Sequence, residues 1–276
     1  GKFDELKYPA NAQTPPGAVD LQRWFAYYLK DADNGVPRDK AVHYYVMGDP
    51  VDPKAPGNFW RSVDSWPPTA VETKYYPHAD GTLSTATPES DDAKLSYKYD
   101  PKNPVPTLGG QNLNIPKGPR DQREVESRSD VLLFTTPVLT EPLEVTGRIR
   151  AKLYVSSDCT DTDFTVKLSD VYPDGRSMLL SDGIFRARYR KSFQREDFLV
   201  PGEVYELTVD LWSTSIIFNR GHKIRVAVSS SNSPRFEPNP NTGGPDGDES
   251  SRVATNTVHL SREHASHIIL PIHSGK

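Results

Sequence analysis

Three groups of side chains in this 276-residue chain could do chemistry. Asp158, Asp161 and Asp163 lie at near-alternating positions around Cys159, and carboxylates so closely spaced could offer oxygen ligands to a hard cation. The same residues suit a structural task, because Asp and Thr end strands and shape turns, and Asp163 can accept backbone hydrogen bonds or pair with an arginine. The structural task is the expected one, so no metal and no cofactor are assigned. Arg120, Asp121 and Arg123, in the run Gly118-Pro119-Arg120-Asp121-Gln122-Arg123, form a polar cluster. Such a cluster can anchor one segment on another by charge-assisted hydrogen bonds, or hold a polar substrate. The loop Ser230 to Phe236, continued by Asn239 to Gly243, sets the amide of Asn232, the guanidinium of Arg235 and the ring of Phe236 on a proline-constrained frame. A rigid polar and stacking surface of that kind serves recognition, and it equally suits a structural loop at a domain interface.

Other chemistries find less. No Gly-x-Ser-x-Gly run occurs, so no strand-turn-helix elbow presents a serine nucleophile. His259, His264, His267 and His273 lack the spacing of a zinc site, and scattered surface histidines are expected. A glycosidase would need two carboxylates about 5 to 10 Å apart, and none of the 37 acidic residues sits in a distinctive strand-centre motif. Trp24, Trp60, Trp66 and Trp212 keep open a binding module that stacks on carbohydrate or a protein surface. The net charge of −4 gives no electrostatic case for nucleic acid or an anionic membrane. No apolar run approaches the roughly 18 residues of a membrane span, and no signal peptide is read at the start. The single cysteine, Cys159, excludes an intrachain disulfide and leans the expected compartment toward the cytoplasm, with secretion left open.

These residues need elements to position them. Ala18 to Lys30 reads as a helix with a broad apolar face of Val19, Leu21, Trp24, Phe25, Tyr27, Tyr28 and Leu29, which the β core or a partner domain must cover. Val42 to Met47 reads as a strand. From Gly48 to Arg128 prolines dominate, with short strand candidates at Thr73 to Tyr76 and Lys94 to Tyr99; such a segment must drape over a core made elsewhere. After that the pattern turns to β. Strand-like runs are Val131–Thr135, Leu143–Ser156, Phe164–Tyr172, Ser177–Arg190, Val204–Leu211, Ile216–Phe218, Lys223–Ser230, Ala254–Leu260 and His267–Pro271. Arg148 to Val155 alternates polar and apolar residues, the mark of one wet and one buried face. The whole is expected to be mainly β: a jelly-roll, galactose-binding-like β-sandwich with an N-terminal helix and a long Pro-rich extension. The expected division is a helical segment at 1–40, the extension at 41–130 and the sandwich core at 131–276.

The runs NAQTPPGAVDLQRWFAYYLK, YKYDPKNPVPTLGG, GPRDQREVESRSDVLLFTT, PGEVYELTVDLWSTS and FNRGHKIRVAVSSSNSPRFEPNPNTG, with the HASHIILPI ending, stand in collinear order over nearly the whole chain. Together they resemble the C-terminal part of the Xaa-Pro dipeptidyl-peptidase and cocaine-esterase family of serine hydrolases. The resemblance implies a jelly roll that packs on an α/β-hydrolase domain carrying a Ser-Asp-His triad and helps to wall its cleft, in enzymes that cleave acyl esters or amides. It also implies that 1–40 is a remnant of the α/β-hydrolase domain, that the triad lies before the helix, and that the Asn232 to Phe236 loop faces the catalytic domain. No triad residue carries over to this chain. The expected partner is therefore an α/β-hydrolase domain or chain, and association of like chains stays open.

Overall fold

The computed structural model describes the backbone of residues 2–3, and residues 6–244 and 250–273. In chain order its elements are β1 (Lys2–Phe3), β2 (Leu6–Lys7), α1 (Leu21–Lys30), β3 (Val42–Val46), β4 (Phe59–Val63), β5 (Val71–Pro77), β6 (Leu83–Ser84), β7 (Lys94–Tyr99), α2 (Arg123–Glu126), β8 (Leu132–Thr135), β9 (Leu143–Ser157), β10 (Asp163–Val171), β11 (Ser177–Arg186), β12 (Tyr205–Phe218), β13 (Lys223–Ser229), β14 (Ala254–His259) and β15 (His267–Ile272). The chain is mainly β, as its alternation predicts.

The 15-residue β9 organises the larger sheet. Along one edge it pairs antiparallel with β12, and along the other with β15 toward its start and β14 toward its end. Strands β5 and β6 extend the sheet beyond β15, and β7 extends it beyond β14. The smaller sheet runs β11-β10-β13-β8. Alternation decides which side chains meet between the sheets: Ile149, Ala151, Leu153 and Val155 of β9 point inward with Leu207, Val209 and Leu211 of β12. They face Phe164, Val166 and Leu168 of β10, Ile224, Val226 and Val228 of β13, and Phe134 of β8. Each fully buried Phe or Leu here contributes on the order of 2 to 3 kcal/mol. The β9 residues between them point outward and pair, Arg148 with Asp210, Arg150 with Glu72 and Lys152 with Glu206.

Departures from the sequence pattern have local causes. The runs at 204–211 and 216–218 form one strand, β12, because a bulge between Asp210 and Ser213 carries the ladder through, with Trp212 at φ 68°. Phe59–Val63, hidden among prolines, forms β4 because it pairs with β3 over five residues. Helix α1 begins at Leu21 rather than Ala18, since the Asp20 carboxylate accepts from the Gln22 and Arg23 amides and caps it. Of the Pro-rich segment, β5, β6 and β7 enter the large sheet, so it is part of the sandwich as well as a cover over it.

That cover has a specific place. In β10 every residue is buried, on both faces. The face turned away from the core, with Thr165, Lys167 and Ser169, lies under Val105, Gln122, Val125 and Glu126 of the Pro-rich segment. A polar sheet face that alternation assigns to solvent is thus an internal layer.

Candidate functional site

The cover brings several of the candidate residues together. Gly110 exchanges backbone hydrogen bonds with Gly118, which closes a loop over the small sheet. Only glycines fit there: a Cβ on Gly109 would lie 2.7 Å from Cγ of Arg120, and one on Gly110 3.0 Å from a guanidinium nitrogen of Arg235. Arg120 and Arg235 therefore flank the same glycine pair. Arg235 donates to both carboxylate oxygens of Asp182 on β11, at 2.5 and 2.6 Å, and its guanidinium lies 5.0 Å from the Phe236 ring centre. Asn232 is 2% exposed and donates from Nδ2 to the same Asp182, at 2.9 Å. The backbone of the loop is laced to the cover by Thr107 N to Ser233 O and Ser233 N to Val105 O. Asn232, Arg235 and Phe236 thus share one cluster centred on Asp182, a residue the sequence did not single out.

Asp121 and Arg123 point elsewhere. Asp121 accepts from the Ser177 amide and pairs with Arg123 at 2.6 Å, tying the start of α2 to β11. Hydrogen bonds from Arg123 and Ser177 outweigh its burial and hold its carboxyl below the usual range. Gln122, between them in sequence, donates to the Leu108 carbonyl and accepts from Lys167 Nζ at 3.1 Å. Burial pulls Lys167 down to about 8.

The three aspartates separate into two roles. Asp158 accepts from the Thr255 amide and the Cys159 thiol, and it is half exposed. Asp161 and Asp163 form a buried knot: Asn239 Nδ2 donates to both at 2.7 Å, Arg188 Nε to Asp161 at 2.8 Å, and Arg186 to both oxygens of Asp163 at 3.0 and 3.1 Å. Burial pushes Asp163 up to about 6 in spite of Arg186. The knot fastens the second half of the 230–244 loop to the β9–β10 connection. Among the described residues no group of three or more His, Cys, Asp or Glu side chains is arranged to hold a metal ion.

Of the histidines expected as scattered surface residues, His267 is buried, with its ring 5.5 Å from that of Tyr76, while the His264 ring lies 5.7 Å from that of His259 and 5.5 Å from that of Tyr154. Hydroxyl partners occur at His43 with Ser62, His78 with Ser84 and His259 with Ser156. Carboxylate partners occur at a different histidine, His222, whose Nδ1 is 2.9 Å from Asp170 and whose Nε2 is 3.5 Å from Asp49. Serine contacts and carboxylate contacts on histidine are thus divided between residues, and among the described residues these pairs make no Ser-His-Asp triad. The His222 cluster was missed in the sequence, where Asp49, Asp170 and His222 are far apart and carry no shared spacing.

Helix α1 presents an apolar face that the described residues leave exposed. Leu21 is 73% exposed, Leu29 74% and Trp24 46%, with Phe25 and Tyr28 beside them. The Trp24 ring lies 5.2 Å from Phe25 and 4.4 Å from Tyr28, and the face borders an open groove of about 710 Å³ running to Val36, Pro37 and His43. The helix is held from its other side, by Arg23 reaching the Asn34 carbonyl and Asp39.

Residues 34–269 match the family described as the X-Pro dipeptidyl-peptidase C-terminal non-catalytic domain. The chain is 44% identical over 257 residues to cocaine esterase of Rhodococcus sp. (strain MB1 Bresler), covering 88% of this chain and 43% of that protein. Among solved structures it resembles an aminopeptidase from a marine sediment Thaumarchaeota archaeon, with a TM-score of 0.80, 34% identity, and coverage of 93% of this chain and 44% of that one. It also resembles an α-amino acid ester hydrolase, with a TM-score of 0.78, 30% identity, and coverage of 92% and 44%. The chain spans less than half the length of these relatives.

Proposed function

The chain belongs to the family of X-Pro dipeptidyl-peptidase C-terminal non-catalytic domains, and from that premise we propose that it docks on an α/β-hydrolase catalytic domain and forms part of the wall of its active site. The observation that carries the proposal is the α1 face. Leu21, Trp24, Phe25, Tyr28 and Leu29 present aromatic and aliphatic surface that the described residues of the sandwich leave exposed, and such a patch marks a protein-protein contact. The division of histidine contacts supports the same reading, since the chain then supplies shape and water exclusion while a partner supplies the nucleophile, base and oxyanion donors. The served reaction is hydrolysis of an acyl ester or amide. In this reading Asn232, Arg235 and Phe236 with Arg120, Asp121 and Arg123 form and brace the loops at the domain boundary. Asp182 holds Asn232 and Arg235 in place, and Ser177 on β11 holds Asp121.

The test has two arms. The chain alone should neither hydrolyse p-nitrophenyl esters or Xaa-Pro amides nor be labelled by a fluorophosphonate serine probe, and stoichiometric labelling refutes the non-catalytic assignment. Co-expressed with the α/β-hydrolase half of a close relative, the chain should co-purify with it, and the double variant Trp24→Ser, Tyr28→Ser should lose that association while keeping its own melting temperature. Undiminished association of the double variant removes α1 as the docking face.

A further inference from the structure

We propose that His222 is a proton-held latch: its imidazolium, gripped between Asp170 of the sandwich and Asp49 of the β3–β4 connection, fixes the β3–β4 arm, residues 42–63, on the sandwich, and loss of that proton at alkaline pH frees the arm.

The geometry favours the charged ring. A neutral imidazole carries one N–H, yet both nitrogens of His222 face carboxylate oxygens, Nδ1 at 2.9 Å from Asp170 and Nε2 at 3.5 Å from Asp49. His222 is 1% exposed and its ring lies 4.4 Å from the Tyr172 ring, so it is enclosed beside the two carboxylates. Its own backbone is fixed, with the carbonyl accepting from Leu139 and the amide donating to Asn219. Asp49 is aimed by the Val51 amide, which donates to its Oδ1 at 2.8 Å. The remaining groups around the ring leave the two carboxylates as its counter-charges. Tyr8, pushed up to about 12 by burial and by Asp170, stays neutral, burial likewise raises Tyr172, and Arg176 lies over Tyr172 at 4.9 Å. Asp52, the next acid on the connection, accepts from Asn219 at 3.5 Å.

The consequence of deprotonation follows from the two distances. The remaining proton stays on Nδ1, where the shorter contact is, and the lone pair on Nε2 then faces the Asp49 carboxylate. Two buried carboxylates would share one neutral ring, an arrangement that like charges disfavour. The Asp49 side gives way. Asp49 lies two residues beyond Met47, whose amide and carbonyl join β3 to Ser215 and Ile217 of β12. The ribbon's further ties, the Met47 backbone bonds to β12 and the Arg61 pair with Glu144, are independent of His222.

Burial alone would pull the imidazole down, but the hydrogen bonds and charges of Asp170 and Asp49 outweigh it and push His222 up to about 9. A raised histidine contributes stability in full below its unfolded value of about 6.5, and that contribution disappears as pH rises through about 9. The latch is therefore closed at neutral pH and opens between about 8 and 10.

The 276-residue chain, without any catalytic partner, serves for the test, so the outcome is separate from that of the docking proposal. Hydrogen exchange of residues 42–63, corrected for the intrinsic pH dependence, is followed from pH 7.5 to pH 10 alongside an NMR titration of His222. Protection of 42–63 should fall about tenfold over that range while β10 and β13 keep theirs. Asp49→Asn should lower the His222 midpoint by a unit or more. His222→Gln, whose neutral amide donates from a single nitrogen and carries no charge, should show the open arm already at pH 7.5. A His222 midpoint at or below about 6.5, or protection of 42–63 that is unchanged to pH 10, overturns the proposal; the wild-type titration decides it even where a variant does not fold.

Discussion

Replacing Asn239 by Leu tests the buried knot most directly. The Asn239 side chain is fully enclosed, and its amide donates to Asp161 and Asp163 at 2.7 Å each, while its Oδ1 accepts from the Asn241 amide at 2.9 Å. Hydrogen bonds to charged groups contribute about 1.5 to 3 kcal/mol each and the neutral one about 1 kcal/mol. Burial of the new leucine offsets about 2 kcal/mol. The net loss is about 2 to 5 kcal/mol, which in a chain of this size lowers the melting temperature by about 5 to 15 °C. The loss should also depend on pH. Burial already pushes Asp163 up to about 6, so the parent chain itself loses stability as pH rises from about 3.9 through about 6. Without the shared amide donor the two carboxylates repel more strongly, and protonation of one lets it donate to the other. Differential scanning calorimetry at pH 5 and pH 7.5 should therefore show a smaller deficit at pH 5. A loss below about 1 kcal/mol at pH 7.5, or one that is equal at both pH values, refutes the reasoning.

Two further outcomes probe the packing around the small sheet. A Cβ on Gly183 of β11 would overlap the backbone carbonyl of Asp210 on β12, and neither strand can move aside without breaking its ladder, so Gly183→Ala should cost at least about 3 kcal/mol by urea unfolding. Lys167→Met should change stability by less than about 1 kcal/mol at pH 7, because removing a buried charge offsets the lost bond to Gln122. Since burial lowers Lys167 to about 8, the parent chain gains stability from this group as pH rises from about 8 to 10.4, and the variant should lack that gain.

Some of the interior was legible in the sequence because it depends on neighbours in the chain. The alternation of Arg148 to Val155 already states that Ile149, Ala151, Leu153 and Val155 point one way, and the core takes them. The apolar periodicity of Ala18 to Lys30 marked α1 as well, although its start at Leu21 came only with the Asp20 cap. The strand at 59–63 was not legible, since its reason is pairing with β3 rather than its own prolines and turns.

The candidate site divides along the same line. Collinear runs marked Asn232, Arg235 and the Arg120 to Arg123 cluster as residues of interest, and the type of each residue limited what it could do. Their partners were set by contacts between distant segments: Asp182 lies 50 residues from Asn232, Asn239 lies 78 from Asp161, and Asp49, Asp170 and His222 come from three separate elements. The run Phe164 to Tyr172 read only as a strand, and nothing in its spacing showed that the Pro-rich segment folds over its outer face and makes Lys167 an interior group. The sequence by itself determined the β character, the inward faces and the absence of a serine elbow, because periodicity and short motifs are properties of adjacent residues. Only the tertiary structure decided which charges are buried and which partner each one has, because desolvation and ion pairing depend on distances through space that no spacing along the chain encodes.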